Sequence, residues 1–309
     1  MKRLILSLLL VGSASAATCD RGCLRQALDL YLNAVVAHNP AAAHLSPGYR
    51  ETQNSVVKRP GAGLWQSATA LGKLQRRYLD PETGQAGYFG TVEEAAGPAV
   101  VTLRLKVDGS KISEAEWFAA RKNDPGIGPN AGAQANAAFY DAGYLLEHAP
   151  PERTVPKAER VSRADLIGIT DSYFDGLSAH DGTLIIAHQG CTRLENGVLT
   201  TQRPGANGGP PTDCTDNGGM RNIYAVVDRR YPIVDEEAGV VLALGVFERN
   251  PGASMRRNMF SEWFYIDQAG SNQAKIRSVY SSMFYPEQNA MVPNWPPYSG
   301  NWQPAPPVK

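Results

Sequence analysis

The chain carries one pattern twice at a constant spacing. Residues 31–39 read YLNAVVAHN and residues 173–181 read YFDGLSAHD. Tyr31 and Tyr173 lie 142 positions apart, as do His38 and His180. The same offset lays RETQNSV (50–56) on TRLENGV (192–198). After a small insertion, RRYLDPETGQAGYFGTVEE (76–94) matches RRYPIVDEEAGVVLALGVFER (229–249). Repeats this long exceed the unit of a solenoid, so they read as a duplicated domain. The length of 309 residues accommodates about two domains. Function in such a chain belongs to a cavity that the fold builds, and the two copies are free to diverge.

Thirty basic and thirty acidic residues leave no net charge. No basic face is advertised, which argues against a nucleic-acid partner. Lys2 and Arg3, the apolar run from Leu4 to Val11, and Ala14-Ser15-Ala16 compose a signal peptide cleaved after Ala16. The apolar run is too short to span a bilayer, and no later segment is apolar enough. The expectation is an exported protein, periplasmic or secreted, with no membrane insertion. Four cysteines suit an oxidising compartment and allow three connectivities. The local solution joins Cys19 to Cys23 and Cys191 to Cys214, the second stapling the Gly/Pro-rich RPGANGGPPTD (203–213). The spacing lacks the paired rhythm of a structural zinc site, so no metal is expected.

Each copy opens with apolar residues at helical spacing: Leu24, Leu28, Tyr31, Leu32 and Val35, then Leu166, Ile169, Tyr173, Phe174 and Leu177. Strand-like runs follow in both, among them AVVTLRLKV (99–107), VVLALGVFE (240–248) and KIRSVYSSMFY (275–285). A helix followed by antiparallel strands is an α+β pattern, with the sheet curled over the helix. The expected domains are 17–147 and 161–290, joined by a linker at 148–160. The segment 130–146 reads as a helix or a substrate-facing loop. The Pro- and Trp-rich tail at 291–309 is expected to lie extended over the surface or a pocket mouth.

The pattern Tyr, small or apolar residues, Ala-His-Asn/Asp, then Glu-Asn-Gly resembles the nuclear transport factor two-like superfamily, which includes ketosteroid isomerase and SnoaL-like cyclases. The two-copy layout with RRYPIVDEEAGVVLAL also resembles an uncharacterised family of secreted bacterial and fungal proteins. The resemblance implies two tandem cone-like domains, each a curved antiparallel sheet wrapped around its first helix with a pocket at the open end. It further implies that Tyr173 occupies the place of an oxyanion-hole tyrosine and Glu195 that of a carboxylate base.

The chemistry of those residue types fits. A phenol in an apolar cone can donate to a developing enolate. A carboxylate in an apolar pocket suits proton abstraction beside a carbonyl. Copy one carries Gln53 where copy two carries Glu195, and an amide cannot take a proton. Glu195-Asn196-Gly197 is equally a hairpin-turn signal. His180, oriented by Asp181, is a further acid/base candidate, although a histidine at a helix C-terminus also has a purely structural account. Arg230 is the expected anion holder, with ion pairing to the acidic turns DPETG and DEEAG as the alternative for both arginine pairs. Tyr224, Trp263 and Tyr31 complete the expected substrate lining.

No nucleophile elbow, phosphate loop or dinucleotide fingerprint occurs, so no cofactor is expected. Two function classes follow. One is a cofactor-free lyase or isomerase that moves a proton on an apolar or aromatic small molecule. The other is an exported binding protein that uses the cones as containers. A homodimer is compatible with either.

Overall fold

The computed structural model describes residues 19–128, 139–204, 209–216, 221–250, 255–268, 273–286, 292, 294 and 295. The expected signal peptide and nearly all of the C-terminal tail lie outside the described residues, as do 130–138 of the segment 130–146. The chain forms two tandem cone-like α+β domains. The first comprises helix α1 (Arg21–Val36), strands β1 (Leu45–Gln53) and β2 (Val56–Lys58), the short helix α2 (Leu64–Ser67), and strands β3 (Ala68–Asp80), β4 (Gln85–Glu94), β5 (Ala99–Asp108) and β6 (Lys111–Ala120). A short helix α3 (Ala142–Glu147) precedes the second. The second comprises α4 (Arg163–Ala179), β7 (Ala187–Glu195), β8 (Val198–Leu199), β9 (Ile223–Asp235), β10 (Val240–Arg249), β11 (Asn258–Asp267) and β12 (Lys275–Phe284).

The repeat extends to the strand boundaries. The offset of 142 carries both ends of β1 onto β7, and an offset of 155 carries β3 onto β9 and β4 onto β10. The added residues fall between β8 and β9, where the second copy holds its Gly/Pro-rich loop and the first holds α2. Strand order is β2-β1-β6-β5-β4-β3 in one sheet and β8-β7-β12-β11-β10-β9 in the other. All neighbours are antiparallel except β1 with β6 and β7 with β12.

Capping and burial fix each first helix. Asp20 caps α1 by accepting from the Cys23 amide, and Ser162 caps α4 by accepting from that of Asp165. The buried stripe of α1 is Leu24, Leu28, Tyr31, Leu32 and Val35, and that of α4 is Leu166, Ile169, Tyr173, Phe174 and Leu177. Each stripe packs against one face of its own sheet. The opposite faces of the two sheets pack on each other, with Phe89, Phe118, Leu242, Leu244, Trp263 and Tyr265 in the shared core. The face left by one cone is therefore covered by the other cone of the same chain.

The arginine pairs divide between these two environments, as neighbours on a strand must. Arg77 turns to the helix and pairs with Asp29 at 2.5 Å; Arg229 turns to the helix and pairs with Asp171 and Asp175. Asp29 and Asp171 are repeat equivalents at the offset of 142. Arg76 and Arg230 lie on the other face. Arg230 joins Glu116 of the first sheet at 2.7 Å, and Arg104 joins the same carboxylate at 2.9 Å. Burial opposes ionisation of Glu116, but Arg230 and Arg104 outweigh it and hold the carboxyl below its ordinary range. The acidic turns are engaged by other arginines. Asp80 receives Arg163, and Asp235 receives Arg21.

Both disulfides of the local solution are present, Cys19 with Cys23 and Cys191 with Cys214. They suit an oxidising compartment. No helix among the described residues is long and apolar enough to cross a membrane.

Candidate functional site

The second cone encloses an open cavity of about 260 Å³ between α4, β7, β10, β11 and the segment after β8. Tyr173 enters it from the buried stripe of α4, beside the ring of Phe264 at 5.3 Å. Its hydroxyl makes no hydrogen bond among the described residues. Burial pushes the phenol well up, Glu262 and Glu195 add to this, and Arg193 opposes it. The group is therefore a neutral donor facing the cavity.

Glu195 and Arg193 reach the same cavity because alternate residues of a strand share a face. The turn after Glu195 aims it. Asn196 (φ 48°) and Gly197 (φ 91°) form a two-residue hairpin between β7 and β8. The Asn196 side chain accepts from the Met283 amide at 2.7 Å and donates to its carbonyl at 3.3 Å, tying the turn to β12. A Cβ on Gly197 would lie 1.9 Å from the Asp141 carbonyl oxygen, so only glycine fits there. The Glu-Asn-Gly signal thus marks a turn and a cavity carboxylate together.

One oxygen of Glu195 accepts from Arg193 Nη1 at 3.0 Å, and the other accepts from the Tyr285 hydroxyl. Arg193 also donates to Glu262 through Nε at 3.0 Å and Nη2 at 2.8 Å, so its charge is shared between two carboxylates. Burial pushes the Glu262 carboxyl up against the pull of Arg193. Its Oε2 is buried without a hydrogen-bond partner among the described residues.

Arg249 lines the cavity as a second cation. It donates to Asn258 Oδ1 and to the Arg256 carbonyl, and no carboxylate among the described residues pairs with it. Burial depresses its pKa, with Glu195 opposing. A desolvated guanidinium without a carboxylate partner is a favourable place for an anionic oxygen. Leu177, Ile223 and Phe247 supply an apolar wall.

The first cone shows how far the copies have diverged. Tyr31 occupies the position of Tyr173, but its hydroxyl meets Tyr49 at 2.9 Å and accepts from Trp117 Nε1 at 3.3 Å. Gln53 accepts from the Leu64 amide. The acid of this copy is Glu51, the equivalent of Arg193, accepting from Tyr49 at 2.8 Å and Trp65 Nε1 at 2.9 Å. Burial pushes Glu51 up to about 7, against the hydrogen bonds of Trp65 and Tyr49. Trp65, carried by α2, is fully buried against Tyr31, with ring centroids 5.2 Å apart.

The other candidates are not brought to Glu195. His180 adopts a left-handed conformation (φ 54°) at the end of α4, and its Nε2 meets the Ile223 carbonyl at 2.8 Å. His38 adopts the same conformation (φ 53°), with its Nδ1 against the Trp65 carbonyl at 2.5 Å. Asp181 caps the turn that follows through Thr183. Arg230 and Trp263 lie between the sheets, Trp263 donating to Thr102 at 2.9 Å. Tyr224 is 63% exposed. Arg193, Arg249, Glu262 and Tyr285 are the site residues absent from the sequence reading. The aligned block offered a signal for Arg193, since Glu51 and Arg193 share a face with Gln53 and Glu195. Among the described residues no group of three or more metal-ligating side chains is placed to hold an ion.

A family model described as a domain of unknown function (DUF8021) matches residues 159–281, within the second half. No curated protein matches the chain. Among solved structures, a protein from Sphaerobacter thermophilus is 18% identical with a TM-score of 0.28, over 34% of this chain and 99% of its own. A protein of unknown function with a cystatin-like fold from Methylobium petroleophilum PM1 is 14% identical with a TM-score of 0.30, over 46% and 99%. An NTF-2 like protein of unknown function from Burkholderia xenovorans LB400 is 14% identical with a TM-score of 0.28, over 42% and 96%. The cone architecture stands on the strand order and helix packing described above.

Proposed function

We propose that the second cone is the working site of an exported, cofactor-free lyase or isomerase acting on an apolar or aromatic small molecule with a carbonyl or acidic oxygen. The observation that carries this reading is the meeting of Tyr173 and Glu195 in one cavity, with the Tyr173 hydroxyl uncommitted. Glu195 takes a proton from the carbon next to the carbonyl. The electron pair of that C–H bond moves to the carbonyl oxygen, and the resulting enolate accepts a hydrogen bond from Tyr173. Return of the proton to another carbon gives isomerisation; departure of a neighbouring leaving group gives elimination. Arg249 holds an anionic oxygen of the substrate. A positioned base contributes roughly 10²–10⁴-fold, and one oxyanion donor about 3 kcal/mol.

One observation favours a container without catalysis. Both oxygens of Glu195 already hold partners, Arg193 and Tyr285. The probe 5-nitrobenzisoxazole separates the readings, because any base that removes its ring C–H proton breaks the N–O bond and releases a coloured phenolate. Turnover lost in Glu195→Gln supports catalysis. Turnover equal in wild type and variant, with the probe still bound, supports the container.

A further inference from the structure

We propose that the cleft at the junction of the two halves binds a small multivalent oxyanion, held by Arg25 and Arg76. The cleft measures about 220 Å³ and is separate from the cavity of the second cone. The first turns of α1, the edge strand β3, linker residues 151–154 and the turn between β9 and β10 enclose it.

Five arginines line this cleft, Arg21, Arg25, Arg76, Arg77 and Arg153, against three carboxylates, Glu152, Asp235 and Glu237. Two of the arginines are committed to the wall. Arg21 grips Asp235 and Glu237. Arg153 donates to the carbonyls of Ala238, Gly239 and Ile266 and pairs with Asp267. Two of the carboxylates are likewise neutralised, Asp235 by Arg21 and Glu237 by Arg21 and Arg160.

Arg25 and Arg76 keep N–H groups to spare, whereas Arg77 is committed to Asp29 on the helix-facing side of β3. Arg25 is exposed and has no partner among the described residues. Among the described residues Arg76 donates to two backbone carbonyls, at Pro150 and Gln75, and its Nη2 has no partner. Arg77 pairs with Asp29, donates to Gln75 and lies over the Tyr88 ring. The phenols of Tyr78 and Tyr265 adjoin them. Forked guanidiniums match the oxygens of a phosphate or carboxylate and bind them with charge-assisted hydrogen bonds. The volume restricts the ligand to a small molecule, and the polar lining rejects an apolar one.

The adjacent cleft serves as an internal control. It is lined by Arg21, Arg160 and Arg163 but also by Asp80, Glu82, Glu236 and Glu237, so it carries no cationic excess. The repeat does not require the excess either, since the counterpart of Arg25 in the second copy is Ile167. An anion seated on Arg25 and Arg76 also lies against linker residues 151–154, and binding to the folded chain raises the melting temperature.

The test is calorimetric titration of the full, oxidised chain with sodium pyrophosphate and separately with sodium citrate, each against sodium chloride at matched ionic strength. One of the two is expected to saturate at one per chain and to raise the melting temperature. Tighter pyrophosphate assigns a phosphate-bearing ligand, and tighter citrate a polycarboxylate. The Arg25→Gln/Arg76→Gln variant is expected to weaken binding at least tenfold, as is Arg25→Glu, which alters an exposed side chain that holds no fold contact. Binding of 2-naphthol in the second cone stays unchanged in both variants. Absence of saturable binding by either anion, or binding untouched in both variants, overturns the proposal.

Discussion

Arg21 of the first helix grips Asp235 in the opposite half, 2.8 Å from Nη1 to Oδ1, and the pair is repeated in the reverse sense by Arg163 and Asp80 at 2.9 Å. Arg163 is Arg21 displaced by 142, and Asp235 is Asp80 displaced by 155. The backbone follows the same exchange. The Leu79 amide donates to Asp235 at 2.8 Å, and the Val234 amide donates to Asp80 at 2.9 Å. Such reciprocity is the signature of an isologous dimer interface, here within one chain.

Both aspartates are buried, and each satisfies an amide of the opposite half. Removing either aspartate leaves a buried amide, that of Val234 or Leu79, without its acceptor, at a cost of about 1–3 kcal/mol, while Arg21 keeps Glu237 and Arg163 keeps Glu82. Asp80→Ala and Asp235→Ala are each expected to lose that much in urea denaturation, by similar amounts. A loss in one and none in the other would break the equivalence.

Glu51 sets a pH dependence of folding. Its folded pKa is about 7, against an ordinary glutamate value near 4.5. Between these values the folded state binds more protons than the unfolded state, so stability falls as pH rises through the window. The full effect is on the order of 3 kcal/mol. Glu51→Gln keeps an oxygen for Tyr49 and Trp65 and removes the titration. Urea curves at pH 5 and pH 8 are expected to show the variant losing less stability than wild type across the interval. Parallel losses in the two proteins would show that Glu51 titrates alike in both states.

The bond between Cys191 and Cys214 closes a 23-residue separation whose residues Thr200, Thr201 and Asp213 line the second cavity. The Cys191→Ser/Cys214→Ser variant is expected to lose about 3 kcal/mol of stability and to weaken binding of 2-naphthol followed by its fluorescence. Unchanged affinity would separate the loop from the site.

The Tyr173 hydroxyl is expected to donate to that naphthol. Tyr173→Phe removes one hydrogen bond, about 1 kcal/mol, which is roughly fivefold in affinity. Affinity equal to wild type would mean the ligand oxygen lies elsewhere, and Arg249→Gln would then carry the larger loss.

The duplication, the helices and both disulfides were legible because they rest on local signals: a constant offset, apolar spacing, and cysteines flanking a loop. Tyr173 and Glu195 were legible as a pair because the repeat exposed the change from Gln53 to Glu195. Arg230 and Trp263 were misplaced for one reason. A strand buried on both faces gives no sign in its sequence of which face meets the helix and which meets the other sheet. Glu262 and Tyr285 reach Arg193 and Glu195 from β11 and the residue after β12, a register that only the folded sheet defines. The burial of Trp65 against Tyr31 in the first cone depends on a four-residue helix with no periodicity to read.

The central claim is that Glu195 accepts a proton in the second cone, and turnover of 5-nitrobenzisoxazole by wild type and Glu195→Gln tests it most directly. The variant installs the amide that the first copy already carries at Gln53. The account predicts a rate above background in wild type that falls by about 10² or more in the variant, with 2-naphthol still bound in both. Equal rates in the two proteins, with the naphthol bound, would contradict it.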